Sequence, residues 1–318
     1  MIQLANILHS KGFSITIIHT TFNSPDPSKY RHLTFHCIQE ELTETEASTT
    51  DIIDLVSFLN IKCVAPFRDC VSKLLSDAAE DPIACLISDA IFHFTNAVSK
   101  SLKLPRIVLR TGGASSFRVF TAFPLLKEKG YLPIQESRLE ETVAELPPIK
   151  VKDLPVINSR DPESVYELVV SMVNETKASS GVIWNTYEEL EQSPLAALRH
   201  EFSIPIFPIG PFHNRFQSSS RVPMICTPRF TDQLVNARYV SDVWRVGVQL
   251  GNGLDREKIE RTVELLLANE EGEAIRKRIL SLKEKAKLCL SKGGSSCQSL
   301  DSLVSHILSL EPIIFQTE

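Results

Sequence analysis

Two places in the sequence set reactive side chains at the end of a strand-like run. The segment ACLISDA (84–90) carries Asp89 at its C-terminal end, followed closely by Phe92, His93 and Phe94. A carboxylate in that position either caps the next helix or belongs to a site, because α/β sheets collect ligands at the carboxyl ends of their strands. The three residues after it either line a small apolar pocket or pack into the core. The second place is VPMICTPRFTDQ (222–233), an apolar run that reads as a buried strand and ends in Asp232 and Gln233. A carboxylate accepts two hydroxyl protons, and an amide donates and accepts together, so this pair can read the hydroxyl pattern of a sugar. The competing reading is an aspartate in the first turn of a helix, favoured by the helix dipole. Gly112-Gly113 has no G-x-x-x-x-G-K pattern around it and reads as a turn. Gly293-Gly294 reads as a helix stop and the next N-cap.

The elements that must position these groups alternate. Apolar spacing predicts a helix over 2–8, then strands over 13–20 and 33–38, a helical zone over 51–79 and a strand over 84–90. A helix through 102, a strand over 106–111 and a helix over 114–127 follow. The Pro-rich passage LPPIKVKDLPVI (146–157) is expected to be irregular and surface-running. Beyond it come a helix (161–178), the strand GVIWNT, a helix (187–202) and the strand IPIFPIG. Alternating strands and helices imply parallel β-α-β units and a doubly wound sheet. After 211–220, which contains a serine tract and reads as a linker, only VPMIC and RVGVQL look like strands. The remainder is helical over 231–243, 255–268, 272–290 and 296–310, the middle two forming a charged, exposed amphipathic pair. Two strands in about a hundred residues cannot build a whole doubly wound domain, so this part reads as a fragment.

The bulk properties exclude several classes. At 318 residues, 43% apolar and 23% charged, the chain has the composition of a soluble globular protein with two domains. A net charge of −5 offers no basic footprint for nucleic acid. No run approaches a membrane span. Seven cysteines, an odd number without a C-x-x-C pair, speak for reduced thiols and a cytoplasmic location, and against a zinc site.

The stretches MIQLANILHSKGFSITIIHTTFNSP, CLISDAIFHF, WNTYEELE, IPIFPIGPF and VPMICTPRFTDQLVNARYVSDVWRVGVQL resemble, in this order, the plant UDP-dependent glycosyltransferases that act on small lipophilic acceptors. The resemblance implies a GT-B-like α/β fold of two Rossmann-like domains facing across a cleft. Residues 1–210 would be the acceptor-binding domain, nearly complete but without its first strand. Residues 221–318 would be a remnant of the UDP-sugar domain plus C-terminal helices. It also implies inverting transfer of a hexose, with glucose favoured by Gln233, from a UDP-sugar co-substrate to an acceptor hydroxyl, with no metal and no cofactor. By the same resemblance Asp89 is the partner of a catalytic histidine, and Asp232 with Gln233 grips the sugar. Two parts of the family pattern have no counterpart in this sequence. The G-H-x-N-P turn that supplies the histidine is absent, and neither His9 nor His19 matches it. Of the signature box only VPMICTPRFTDQ is present, without the W-A-P-Q and H-C-G-W-N-S elements; neither Trp184 nor Trp244 stands in the context of the uracil-stacking tryptophan. The break falls between Ser220 and Arg221, and the expectation is a chain impaired in donor binding. The alternative is a non-catalytic remnant that binds an acceptor or a partner protein.

Overall fold

The computed structural model describes residues 1–49, 52–77, 82–155, 162–213, 222–229, 231–250 and 255–310. Most of the expected linker, and the Ser220–Arg221 junction, lie outside the described residues. In chain order the elements are α1 (Ile2–His9), β1 (Thr16–Thr20), β2 (Thr34–Ile38), α2 (Glu44–Ala47), α3 (Ile52–Lys62), α4 (Val64–Asp77), β3 (Leu86–Asp89), α5 (Phe94–Ser101), β4 (Arg106–Arg110), α6 (Ala114–Thr121) and α7 (Phe123–Glu128). Then follow α8 (Pro162–Lys177), β5 (Gly181–Trp184), α9 (Glu188–Glu201), β6 (Ile206–Pro208), β7 (Met224–Cys226), α10 (Asp232–Arg238), β8 (Gly247–Gln249), α11 (Arg256–Ala268), α12 (Glu270–Leu290) and α13 (Ser295–Ser309).

All ladders between these strands are parallel, as the alternation of strands and helices requires. The sheet of the first unit is in two pieces, β1-β2 and β3-β4-β5-β6. A right-handed β-α-β unit ahead of β1 would set its first strand between them, and no described strand occupies that place. The sequence RIVLR makes β4 the centre of the larger piece, buried at all five positions. Its side chains alternate between faces. Ile107 and Leu109 pack with Leu4, Ile7 and Leu8 of α1 and with Leu300, Leu303 and Ile307 of α13. Arg106 and Arg110 point the other way, to Glu175 and Met172 of α8. That second face is closed by Phe117, Val169, Val173, Leu195 and Leu198 around Trp184.

Two expectations are corrected. The Pro-rich passage is not surface-running: Leu146, Ile149, Val151 and Leu154 are all buried, and Asp153 is 1% exposed. Its prolines deny it regular structure, but the apolar residues between them are drawn into the same cluster as Trp184. Conversely, VPMIC is not a buried strand. Val222 is 68% and Met224 43% exposed; among the described residues β7 pairs only with β8, and a two-stranded sheet cannot cover its own faces.

The later elements bury their apolar residues on the first unit. Val235 of α10 joins the cluster of Phe117 and Leu195, α13 seals the opposite face of β4, and Ala286 with Cys289 packs on Tyr187. None of the described hydrophobic clusters is built from residues 222–310 alone. Polar contacts follow the same route: Trp244 donates its indole N–H to Leu190 O at 3.1 Å, and Ser296 Oγ donates to Gly210 O at 2.7 Å. All seven cysteines are free, and no described helix is long and apolar enough to cross a membrane.

Leu303 is fully buried between α13 and the sheet. Leu303→Ala is expected to lower unfolding free energy by about 2–5 kcal/mol in urea titration; a loss below about 0.5 kcal/mol would show that α13 does not seal the core.

Candidate functional site

Asp89 ends β3, in register with Leu109 of β4. It is half-buried, and its Oδ1 accepts the backbone N–H of Ile91 at 3.0 Å. It therefore braces the strand-to-helix turn and does not cap α5, whose first residue is Phe94. The start of that helix is held by Asn60 of α3, which accepts from Phe94 N at 3.2 Å and donates to Ile91 O at 2.9 Å. Nothing local in the sequence singles out Asn60; its role comes from a contact 31 to 34 residues away.

Around this turn the three neighbours separate. Phe94 is buried edge-on against Phe67, and Phe92 packs at the rim of the same cluster. His93 is half-buried, and burial pushes its imidazole below the ordinary value, with Glu175 opposing and Arg106 assisting. The structure thus sets Phe94 in the core and leaves Phe92 and His93 at its margin.

Asp232 opens α10 and lies against the turn between β4 and α6. A Cβ on Gly112 would stand 3.1 Å from Asp232 Oδ2, and one on Gly113 would stand 3.3 Å from Asn236. This close approach is what the double glycine permits. Asp232 accepts from Thr231 Oγ1 and from Asn236 Nδ2, both at 3.1 Å. Thr231, a β-branched residue, is held at φ 53°, a conformation that such side chains rarely adopt; strain of this kind gathers at sites. Gln233 is exposed, and its carbonyl accepts Arg229 N at 3.0 Å.

The N-terminus of α6, the one place where Gly112-Gly113 could have cradled a phosphate, is filled from inside. Glu191, 2% exposed, accepts from Ala114 N at 3.0 Å, Ser115 N at 2.9 Å and Ser115 Oγ at 2.7 Å. The turn reading of the glycines holds. Both tryptophans are also committed, Trp184 being fully buried with its indole N–H on Gly112 O at 3.0 Å.

Arg110 was not singled out by sequence, yet it lies at the centre of the site. It ends β4, two residues before Gly112, and is 7% exposed. Burial pushes its guanidinium down to about 10, against the raising influence of Asp89 and then Asp232. The acid from β3 and the acid from α10 are therefore brought to the same buried cation. A cavity of about 370 Å³ lies elsewhere, between Lys152, Arg238, Asp242 and the β8 residues Gly247 to Gln249. Three of its charged residues are already paired, Arg238 with Asp242 as well as Asp153, and Lys152 with Glu140, and the sequence motifs point to the ends of β3 and β4 as the better candidate site. Among the described residues no group of three or more His, Cys, Asp or Glu is arranged to hold a metal ion.

Comparison with known proteins gives the family and the fold. UDP-glycosyltransferase 76B1 of Arabidopsis thaliana is 35% identical over 426 aligned residues, covering 97% of this chain and 95% of that protein. UDP-glycosyltransferase 76F2 of the same plant is 34% identical, covering 99% and 95%. The chain belongs to the plant UDP-glycosyltransferases. Solved structures share the fold: a Polygonum tinctorium UDP-glucosyltransferase superposes with a TM-score of 0.79 at 18% identity, covering 96% of this chain and 95% of that one. Phytolacca americana UGT2, solved with UDP-2fluoro-glucose and pterostilbene, does so at 0.79 and 16%, covering 96% of both. No protein-family model matches the chain. For a plant UDP-glycosyltransferase it is short: 97% of 318 residues is about 308, so about 118 of the 426 positions aligned with the first relative have no residue here.

Glu40 illustrates how carboxylates are held near the strand ends. It is 3% exposed, and burial raises its pKa, but bonds from Thr21 and Phe22 outweigh this and bring it below its ordinary 4.5. Its stabilising share is present above pH 4.5 and is lost as pH falls through the lower folded value. Glu40→Gln is therefore expected to destabilise the protein at pH 7 and progressively less towards pH 3, as read by thermal melts; an equal penalty at both pH values would contradict this.

Proposed function

We propose that the reaction inherited by this chain is transfer of a hexose, glucose in the first place, from a UDP-sugar to a small lipophilic acceptor with inversion at the anomeric carbon. Residues 1–210 form the acceptor side, and 221–318 are what this chain has of the donor side. Asp89 is the inherited acid at the acceptor, and Asp232 with Gln233 is the inherited sugar clamp. Phe92 and His93 border the acceptor, and Phe94 supports them from the core. Seven free thiols suit a cytoplasmic protein.

We further propose that the chain as it stands binds UDP-sugars weakly or not at all and turns over negligibly. The observation that carries this is that, among the described residues, β7 pairs only with β8, in a sequence that holds only the tail of the donor signature. Uracil stacking and diphosphate binding need an aromatic platform and a helix N-terminus with free N–H groups. Here Trp184 is fully buried, the half-buried Trp244 is tied by its indole N–H to Leu190 O, and Glu191 occupies the start of α6. Loss of preorganised donors to a leaving diphosphate costs about 10²–10³ in rate for each donor removed. The reading of a non-catalytic acceptor binder follows from the same facts, since residues 1–210 keep their core.

Calorimetric titration with UDP-glucose is expected to show no saturable binding in the micromolar range. A micromolar Kd, or glucosylation of flavonoid or terpenoid alcohols above background, would overturn the reading.

A further inference from the structure

Helix α12 is two-faced, and its outer face serves neither the core nor the strand-end site. Ile275, Ala286 and Cys289 are buried, the last two against Tyr187. At 3.6 residues per turn, Lys277, Leu280, Glu284, Lys285 and Leu288 share the opposite face, with Lys292 just past the helix end, and all six are exposed. Leu288 is 67% and Leu280 37% exposed, so two apolar side chains stand among cations. Between 276 and 292 seven lysines and arginines are set against one acid, Glu284, in a chain whose net charge is −5. That acid is held by Lys287 at 2.7 Å. Among the described residues Lys277, Lys285 and Lys292 form no ion pair, Lys285 acting on Glu189 only through space. Arg276 and Arg278 donate to the carbonyls of Leu266 and Arg245, at 2.6 and 3.1 Å, and so keep their charge uncompensated. The remaining acids of α12, Glu270, Glu271 and Glu273, are confined to its first turn, where the helix dipole favours them.

We propose that this face of α12 docks the protein on an anionic lipid surface, with its lysines at the headgroups and Leu280 and Leu288 at the boundary with the acyl chains. Lysines attract a negatively charged leaflet, and leucines between them gain by leaving water at the same depth. The face carries no aromatic residue and no exposed arginine, the side chains that stack on and read nucleic acid, and lipid is the surface that uses both of its components. The opposite face stays packed on Tyr187, so α12 docks as it stands and no ordering cost is added. The contact is peripheral, since no described helix is long and apolar enough to cross a membrane. The proposal stands on the fold and charge pattern alone and is independent of whether the chain transfers sugar.

The test is co-sedimentation of the full chain with vesicles of phosphatidylcholine alone and of phosphatidylcholine with one part in three of phosphatidylserine. Binding is expected only to the second, and it should be largely lost at about 1 M salt, where the Debye length is about 3 Å. One lysine near such a surface is worth about fivefold in partitioning. Lys277→Glu combined with Lys292→Glu is therefore expected to weaken binding by about tenfold or more, and Glu273→Lys, which extends the basic face, to strengthen it. Leu288→Ser should weaken it about threefold or more without altering the salt dependence, since buried apolar area is lost and no charge changes. All four substituted residues are exposed, and unchanged thermal melts will confirm that each variant keeps the fold. No binding to phosphatidylserine vesicles at low salt, equal binding to both compositions, or binding that the lysine reversals leave unchanged would overturn the proposal. Binding that responds to the charge changes but not to Leu288→Ser would overturn it as well, marking a surface for soluble polyanions.

Discussion

The docking of α10 on the first unit depends on one buried ion pair. Arg238 of α10 donates Nε to Asp153 Oδ2 at 2.7 Å and Nη2 to Asp153 Oδ1 at 3.0 Å, and the aspartate is 1% exposed. The pair is bidentate, and Lys150 N also donates to Asp153 Oδ2 at 2.9 Å, so the carboxylate is well satisfied. Breaking such a pair by removing one partner costs about 3–5 kcal/mol, because the other charge stays behind unpaired. Next to it Val235 enters the core of the first unit, fully buried. Together they dock α10 on the first unit, and by docking it they set Asp232 against Gly112.

The same logic explains why a fragment can stay ordered. Helices α10, α12 and α13 each bury apolar residues on elements that precede them, and α13 closes the face of β4 opposite to Arg110. The first unit keeps a packed sheet with Asp89 and the buried cation Arg110 at its strand ends, and α10 brings Asp232 to the same turn.

Much of this was legible in sequence because local periodicity suffices for element type. RIVLR, GVIWNT, the helix over 187–202 and the helices after 255 all appear within a few residues of their expected bounds. Asp89 at a strand end and Asp232 at a helix start were legible for the same reason. The errors came where burial is decided by partners. The Pro-rich passage 146–157 was expected to run over the surface, yet Ile149, Val151 and Leu154 are buried in the cluster of Phe117 and Trp184. VPMIC looked buried and is exposed; among the described residues its sheet has only two strands. Asn60, Glu191, Arg110 and the Asp153–Arg238 pair were invisible, since each acts through a residue distant in sequence. A charged residue at the end of an apolar strand, as in RIVLR, is the one signal that could have raised Arg110.

Native-state hydrogen exchange along a urea series tests most directly whether the elements after β7 are an appendage of the first unit. The amides of α10 and α13 are predicted to merge, as urea rises, into the same opening isotherm as those of β4 and β5. If α10 and α13 instead opened together on an isotherm of their own, with β4 and β5 still protected, residues 222–310 would be an independently folding domain, contradicting the account.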